Sequence, residues 1–214
     1  HVVTEDERRG LPGELALLPV VESAFDPYAY SHGRAAGLWQ FIPETGRLYG
    51  LDQDWWHDER RDVIESTRAA LDHLEDLHDQ FDGDWLLALA AYNSGPGNVR
   101  KALRRNRNAG APRDFFALDL PRETEAYVPK LLALAELFAA PEEYGLTLRS
   151  LPDAPYFEVV ELGGQLDLAR AASLAGLETR ELYLLNPGLN RWATHPEGPH
   201  RLVVPRAVAA TLRE

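Results

Sequence analysis

Apolar side chains recur at helical spacing through most of the first 140 residues of the chain. The clearest example is a stripe after Asp62 that faces a row of acidic residues. Its members are Val63, Thr67, Ala70, Leu71, Leu74, Leu77 and Phe81. This pattern predicts an amphipathic helix with Asp62 as its N-cap. The next run, from Trp85 to Tyr92, is apolar all round and predicts a buried helix capped by Asp84.

Weaker patterns predict further helices in the same part of the chain. Leu15, Leu18 and Val21 recur at helical spacing, and Asp26-Pro27 then ends a helix that begins at Pro12. The other predicted helices span residues 43–50, 98–106 and 123–138. Residues 1–10 are polar, and we expect them to be loosely ordered.

The pattern changes after Arg149, where two prolines indicate a linker. A strand is predicted at residues 157–162, helices at 166–175 and 179–185, and a strand at 201–204. We therefore predict a mainly α fold of the α+β class with two domains. The first is a helical domain over residues 1–148, and the second is a small β-α-α-β module over residues 156–206.

Composition narrows the possible functions. The 214 residues are 45% hydrophobic and 26% charged, which is ordinary for a soluble globular protein. Cysteine is absent, which excludes disulfides, Cys-ligated zinc and a thiol nucleophile within these residues. No apolar run approaches the roughly 20 residues that span a bilayer. The chain has no methionine and no visible signal peptide, so we expect a processed chain or a fragment.

The charge distribution argues against nucleic acid as a partner. The net charge is −12, whereas phosphate binding needs a basic face. One basic cluster lies at residues 100–107, and either a solvated helix end or contact with acidic peptides explains it. His73 and His78 are five residues apart, a spacing that does not place them on one helix face. We therefore expect solvated surface there and no metal site.

Glu22 is the main candidate for chemistry. It closes the apolar helix before Asp26-Pro27, and a buried lone charge is costly unless it is used or paired. Burial disfavours the ionised form of a carboxyl, which makes a general acid that holds its proton near neutral pH. The simpler alternative is an exposed glutamate at a helix end. For Asp26, we expect the role of a turn residue before proline.

Four motifs follow one another in a specific order. They are Glu22-Ser23, Gly37-Leu38-Trp39-Gln40-Phe41, Ala91-Tyr92-Asn93-Ser94-Gly95, and a late Tyr127. This set, with Ser31 after the first motif, resembles the catalytic domain of lytic murein transglycosylases, with Trp39 in place of a methionine. The resemblance covers about two thirds of the chain.

The resemblance implies a lysozyme-like helical domain that cleaves peptidoglycan glycan strands in the bacterial periplasm or cell envelope. It implies that Glu22 first protonates the glycosidic oxygen and then takes the proton of the C6 hydroxyl of N-acetylmuramic acid. The product would be a 1,6-anhydro sugar, and no metal or organic cofactor would be needed. The implied substrate-binding residues are Ser31, Gln40, Tyr92, Asn93 and Tyr127.

The C-terminal module resembles LysM, a small glycan-binding module. Residues 182–187 and 202–205 match its later motifs, whereas residues 163–166, Gly-Gly-Gln-Leu, depart from its early one. Binding of sugar and a packing role both remain open. Since every candidate site residue lies at or before Tyr127, a fragment ending near Arg149 is expected to stay active.

Two other functions are compatible with the same residues. One is a lysozyme-like hydrolase that delivers water in place of the C6 hydroxyl. The other is a catalytically silent peptidoglycan-binding protein, against which the intact Glu22 and its polar set argue. Oligomeric state, the position of cleavage along the strand, and membrane anchoring through a segment outside this chain are left open.

Overall fold

The backbone follows the helical pattern of the first 140 residues and the β-α-α-β pattern after them. The structure is a computed structural model and describes residues 1–152 and 154–213. Contacts within it define two compact units. The helical unit comprises residues 2–21 and 68–149, and the mixed unit comprises residues 1, 22–67, 150–152 and 154–213.

The described helices and strands have the following bounds. The α-helices are α1 Val2–Arg9, α2 Leu18–Ser23, α3 Pro43–Leu48, α4 Val63–Gln80, α5 Trp85–Ser94, α6 Pro96–Ala109, α7 Arg122–Ala139, α8 Leu168–Ala175 and α9 Thr179–Leu185. The strands are β1 Phe157–Glu161 and β2 Arg201–Pro205. Short 3-10 turns span Gly13–Leu17, Phe115–Ala117, Pro141–Tyr144 and Arg206–Leu212.

Two of the predicted helix caps are confirmed. The Asp62 carboxylate accepts hydrogen bonds from the backbone N–H groups of Ile64 at 2.8 Å and Glu65 at 3.0 Å, at the start of α4. The Asp84 carboxylate accepts likewise from the second and third residues of α5, at 2.9 and 3.1 Å. Each aspartate satisfies N–H groups that have no partner within the helix, which fixes where the helix begins.

Two expectations for the N-terminal segment are wrong. The single helix expected over residues 12–23 is a 3-10 turn followed by α2, because Pro19 has no N–H and its ring would clash with the carbonyl of Leu15. Residues 1–10 are not loose but contain α1. The Arg9 guanidinium holds that helix through ion pairs of 2.6 Å with both Asp72 and Glu75 of α4.

The core of the helical unit lies around α5. Residues 87–91 of α5 are buried, and the helix packs against α6 and α7. Apolar side chains of the neighbouring helices are buried in the same unit, among them Leu71, Leu74, Leu77, Val99, Val128 and Leu131. A helix that is apolar all round is stable in water only in such surroundings, as the sequence predicts.

Residues 156–212 form the predicted β-α-α-β arrangement within the mixed unit. β1 and β2 pair antiparallel, with Phe157 opposite Pro205 and Glu161 opposite Arg201. Apolar side chains from both strands, both helices and the final 3-10 turn form one core. They are Val160, Leu168, Ala171, Ala172, Leu182, Leu202, Val204 and Ala209.

This β-α-α-β module is bonded to residues 22–67 of the mixed unit. The Tyr28 hydroxyl donates to the Tyr183 carbonyl at 2.7 Å. The Arg201 guanidinium, largely buried, pairs with Glu65 at 2.8 Å and Asp62 at 3.3 Å. The module is thus held to the segment that carries Glu22 by a hydrogen bond and ion pairs as well as by the linker. That residues 1–148 act as a domain without it stays a prediction.

Arg201→Gln tests these contacts. It should lower the free energy of unfolding by roughly 2–3 kcal/mol, since two largely buried carboxylates would lose their cation. Denaturant titration at pH 7 measures the change. Arg206→Gln, at an exposed position, is the matched control and should change stability by less than about 0.5 kcal/mol. Equal effects of the two variants on the free energy of unfolding would show that the Arg201 ion pairs do not stabilise the fold.

Candidate active site

Glu22 lies at the penultimate position of α2 and is half-buried. The two residues after this helix, Ala24 and Phe25, have positive φ angles of 52° and 60°. Non-glycine residues adopt this conformation at a cost, and such strain is concentrated at functional sites. The turn is secured by Ser23, whose hydroxyl donates to the Leu38 carbonyl at 2.9 Å. Glu22 is therefore followed by a strained, firmly bonded turn.

Gln40 lies in the loop to which this turn is bonded. Its side-chain amide donates to the carbonyls of Gly37 at 2.9 Å and Ala29 at 3.3 Å. Gly37 has a φ of 81°, and a Cβ atom there would collide with the Arg60 carbonyl oxygen. The glycine of the Gly-Leu-Trp-Gln motif is thus required by close backbone packing as well as by its φ angle.

Trp39 occupies the motif position where the resemblance leads us to expect methionine. The side chain is fully buried, and its indole N–H donates to the Thr67 hydroxyl at 3.1 Å. A buried indole is stable only when that N–H finds a partner. The substitution is accommodated as a core residue of the mixed unit.

Ser31 orders a tight turn in the same unit. Its hydroxyl oxygen accepts from the Ala35 N–H at 3.1 Å, and its own N–H donates to the Ala35 carbonyl at 2.9 Å. These contacts give Ser31 a structural role. Its predicted contact with Glu22 or sugar stays a prediction.

Arg60 is a positioning residue of the Gln40 loop that sequence reasoning missed. Its side chain is only 6% exposed and forms a two-pronged ion pair with Asp58, at 2.9 and 2.8 Å. The same guanidinium donates to the carbonyls of Arg34 at 2.6 Å and Phe41 at 3.1 Å. It therefore joins the two ends of the loop that carries Gln40. Nothing in the charged run around Arg60 marks it as the buried member.

The helical unit carries the other three predicted residues. Tyr92 and Asn93 lie near the end of α5, and Tyr127 is a buried residue of α7. The Asn93 side-chain oxygen accepts from the Thr124 hydroxyl at 2.8 Å. Since Thr124 and Tyr127 are one turn apart in α7, this bond fixes the end of α5 beside that turn.

His73 also lies beside this group, contrary to the expectation of a solvated surface histidine. Its ring centroid is 5.3 Å from that of Tyr92. Burial lowers the pKa of His73 to about 4, against the opposing effect of Asp76. His73 is therefore neutral near pH 7. The expectation was wrong because the spacing of the two histidines says nothing about the burial of either one.

The six predicted residues divide between the two units. Glu22, Ser31 and Gln40 belong to the mixed unit, and Tyr92, Asn93 and Tyr127 belong to the helical unit. Within its own unit, each of Ser31, Gln40 and Asn93 makes hydrogen bonds that fix local backbone or helix positions. Their contacts with a substrate stay predictions.

A known protein family matches the part of the chain that holds the first three motifs. The model of the transglycosylase SLT domain matches residues 3–115. The chain belongs to this family. A second model, described as the LysM-like domain of lytic transglycosylase MltD, matches residues 156–214. Both resemblances found in the sequence, and the mainly α fold class with a small LysM-like module, are confirmed.

Individual relatives agree with the family match. Membrane-bound lytic murein transglycosylase D of Escherichia coli (strain K12) is 45% identical over 208 residues, covering 97% of this chain and 46% of that protein. A putative tributyltin chloride resistance protein of Alteromonas sp. (strain M-1) is 49% identical over 115 residues, covering 54% and 56%. The chain thus spans about half the length of these curated relatives.

A solved structure supports the same fold. An inactive mutant of the lytic transglycosylase Slt from Pseudomonas aeruginosa aligns with a TM-score of 0.50 and 28% identity. The alignment covers 68% of this chain and 24% of that one. Within residues 1–152 and 154–213, no helix is both long and apolar enough to cross a membrane.

Arg60→Lys tests the contacts of the buried guanidinium. Lysine keeps the charge but cannot form the two-pronged pair and reach two carbonyls at once. We expect a loss of roughly 2–4 kcal/mol in stability. In the variant, backbone amides of residues 34–41 should exchange hydrogen faster than in the parent protein. Those of the β1–β2 sheet should change little. Arg47→Lys, at an exposed arginine, is the control. Unchanged amide exchange over residues 34–41 would contradict the assigned role.

Proposed function

We propose that this chain is the catalytic part of a bacterial lytic transglycosylase acting on peptidoglycan. It cleaves the β-1,4 bond between N-acetylmuramic acid and N-acetylglucosamine and forms 1,6-anhydro-N-acetylmuramic acid. The observation that carries the proposal is the family match over residues 3–115, with Glu22 of the first motif at the end of α2. Since peptidoglycan is a wall polymer, we place the protein in the cell envelope; the E. coli relative is described as membrane-bound.

A single carboxyl group is sufficient for this reaction. In the first step, protonated Glu22 gives its proton to the glycosidic oxygen as the bond to C1 breaks. In the second step, the Glu22 carboxylate takes the proton of the C6 hydroxyl, whose oxygen bonds to C1 and closes the anhydro ring. Glu22 ends protonated and ready for another cycle, and general acid–base catalysis of this kind needs no metal.

The surroundings of Asp26 support the use of one carboxylate only. Glycoside hydrolases usually employ two, either about 5–5.5 Å or about 6.5–9.5 Å apart. Asp26 is the acid nearest to Glu22 along the chain. It is exposed, and its carboxylate accepts from the Tyr28 N–H at 2.8 Å across the proline turn. This hydrogen bond gives Asp26 the role of a turn residue that the sequence predicts. We therefore assign the acid role to Glu22 alone.

The remaining residues are proposed to hold the sugar and the catalytic carboxyl. Gln40 uses its N–H donors on two backbone carbonyls, so we assign its side-chain oxygen the role of acceptor. Tyr92 and Tyr127 offer a ring face for a pyranose and a hydroxyl for orientation. Asn93 and Ser31 are assigned to acetamido or hydroxyl groups of the glycan.

The product distinguishes this function from hydrolysis. Purified peptidoglycan digested with the protein should release muropeptides that end in 1,6-anhydro-N-acetylmuramic acid, one water lighter than the hydrolytic products. Mass spectrometry after reduction with borohydride separates the two, because only a reducing end is reduced. Reducing-end muramic acid as the main product would refute the transglycosylase and favour the hydrolase.

Glu22→Gln tests the assigned catalytic group. Glutamine keeps the size and hydrogen bonding of the side chain but cannot transfer a proton. The variant should therefore fold and lose turnover by roughly a hundred- to ten-thousand-fold, the usual contribution of general acid–base catalysis. Asp26→Asn is the matched control and should remain active. If Glu22→Gln retained most of its turnover, another group would have to be the acid.

A further inference from the structure

Three tryptophans lie in two neighbouring loops of the mixed unit, Trp55 and Trp56 in one loop and Trp192 in the other. Trp55 is 65% exposed and Trp192 is 60% exposed. The ring centroid of Trp56 lies 5.8 Å from that of Trp192. We call Trp55, Trp56, Trp192 and the adjacent Arg191 the tryptophan platform. Large aromatic rings are costly to expose in water, and grouped exposure of this kind marks interaction surfaces.

The platform is built on a rigid support. One of its loops precedes α4 and the other belongs to the LysM-like module, and the two are joined through an antiparallel bridge between His57 and Leu189. The Asn190 N–H donates to the Trp56 carbonyl at 2.8 Å. A Cβ atom on Gly188 would lie 2.7 Å from the His57 ring nitrogen, so this approach requires glycine. The rings are therefore held in place before any ligand binds, which reduces the entropic cost of binding.

The polar chemistry of the platform comes from Arg191. Its guanidinium carbon lies 3.2 Å above the ring centre of Trp55. Across residues 1–152 and 154–213, the buried Nε of Arg191 is among the side-chain atoms that have no hydrogen-bond partner. A cation stacked on an aromatic ring can bind an anion at its edge while the rings bind an apolar face.

One class of ligand combines these two requirements. The C–H face of a pyranose ring packs on an indole, and carboxylates on side groups of the strand pair with a guanidinium. A densely charged phosphate polymer fits poorly, because the chain carries a net charge of −12. A strand of uncharged sugar rings that carries only a few carboxylates on side groups is repelled less. Its carboxylates still give Arg191 an anionic partner.

We propose that the tryptophan platform binds β-1,4-linked acetamido-sugar strands bearing acidic side groups. It acts in addition to the residues around Glu22 and raises the affinity for polymeric substrate. The proposal rests on the proposed function, since peptidoglycan is such a polymer. It does not use residues 163–166, where the LysM motif is altered. The module can thus contribute to glycan binding through Arg191 and Trp192 without its early motif.

Binding measurements with two probes test the platform. Trp55→Ala/Trp192→Ala is combined with Glu22→Gln, so that purified sacculi stay intact during co-sedimentation. The apparent Kd should rise about tenfold or more, as on loss of a pair of aromatic hot spots. The same increase is expected in calorimetry with a soluble N-acetylglucosamine oligomer. Phe116→Ala, at an aromatic side chain of the helical unit that is 69% exposed, is the control and should bind as the parent does.

Arg191→Gln separates the two parts of the recognition. It should weaken co-sedimentation with sacculi several-fold more than binding of the N-acetylglucosamine oligomer, which carries no carboxylate. Equal effects on both probes would overturn the assigned role of the guanidinium. Circular dichroism and thermal unfolding verify that each variant is folded.

Two results would overturn the platform as a whole. One is unchanged binding of both probes by the folded double tryptophan variant. The other is a parent protein that is dimeric in gel filtration and becomes monomeric in that variant, which would make the surface a contact between copies. Failure of the proposed function would change the product that the parent protein releases from peptidoglycan and would leave the binding result unaffected.

Discussion

The ion pair between Arg60 and Asp58 is the interaction on which the segment of the mixed unit that carries Glu22 and Gln40 depends. A buried guanidinium is tolerable only when its donors are satisfied, and here Asp58 and the carbonyls of Arg34 and Phe41 accept them. Because those carbonyls lie at the two ends of the loop that carries Gln40, the charge fixes the shape of the loop. The loop cannot open without leaving buried polar groups unpaired.

Hydrogen bonds extend this arrangement in both directions within the mixed unit. The Asp58 N–H donates to the Gly188 carbonyl of the LysM-like module at 2.8 Å. At the other end, the loop accepts a hydrogen bond at Leu38 from Ser23, the residue next to Glu22. The module is thus linked through a continuous set of bonds to the helix end that carries the candidate acid. Such a network couples the small module, whose early LysM motif is altered, to the segment that carries Glu22.

Local features of this fold were predictable, whereas contacts over long sequence separations were not. The helices begun by Asp62 and Asp84 follow from periodicity and capping, which operate within a few residues. The effect of Pro19 was also local, but the apolar stripe around it concealed the break. Glu22 was selected as the candidate acid because four motifs occur in a fixed order, and its role stays a prediction. Arg60 was missed because its carbonyl partners are 19 and 26 residues away, and no pattern in the sequence reports such a contact.

Isotope labelling tests the central claim most directly, because the proposed reaction takes its nucleophile, the C6 hydroxyl, from the sugar, whereas the hydrolytic alternative takes it from water. Peptidoglycan is digested with the protein in water enriched in oxygen-18, and the released muropeptides are analysed by mass spectrometry. If the C6 hydroxyl attacks C1, no solvent oxygen enters the product, and its mass is the same in ordinary and labelled water. Incorporation of one labelled oxygen at C1 would show that water is the nucleophile and would contradict the account.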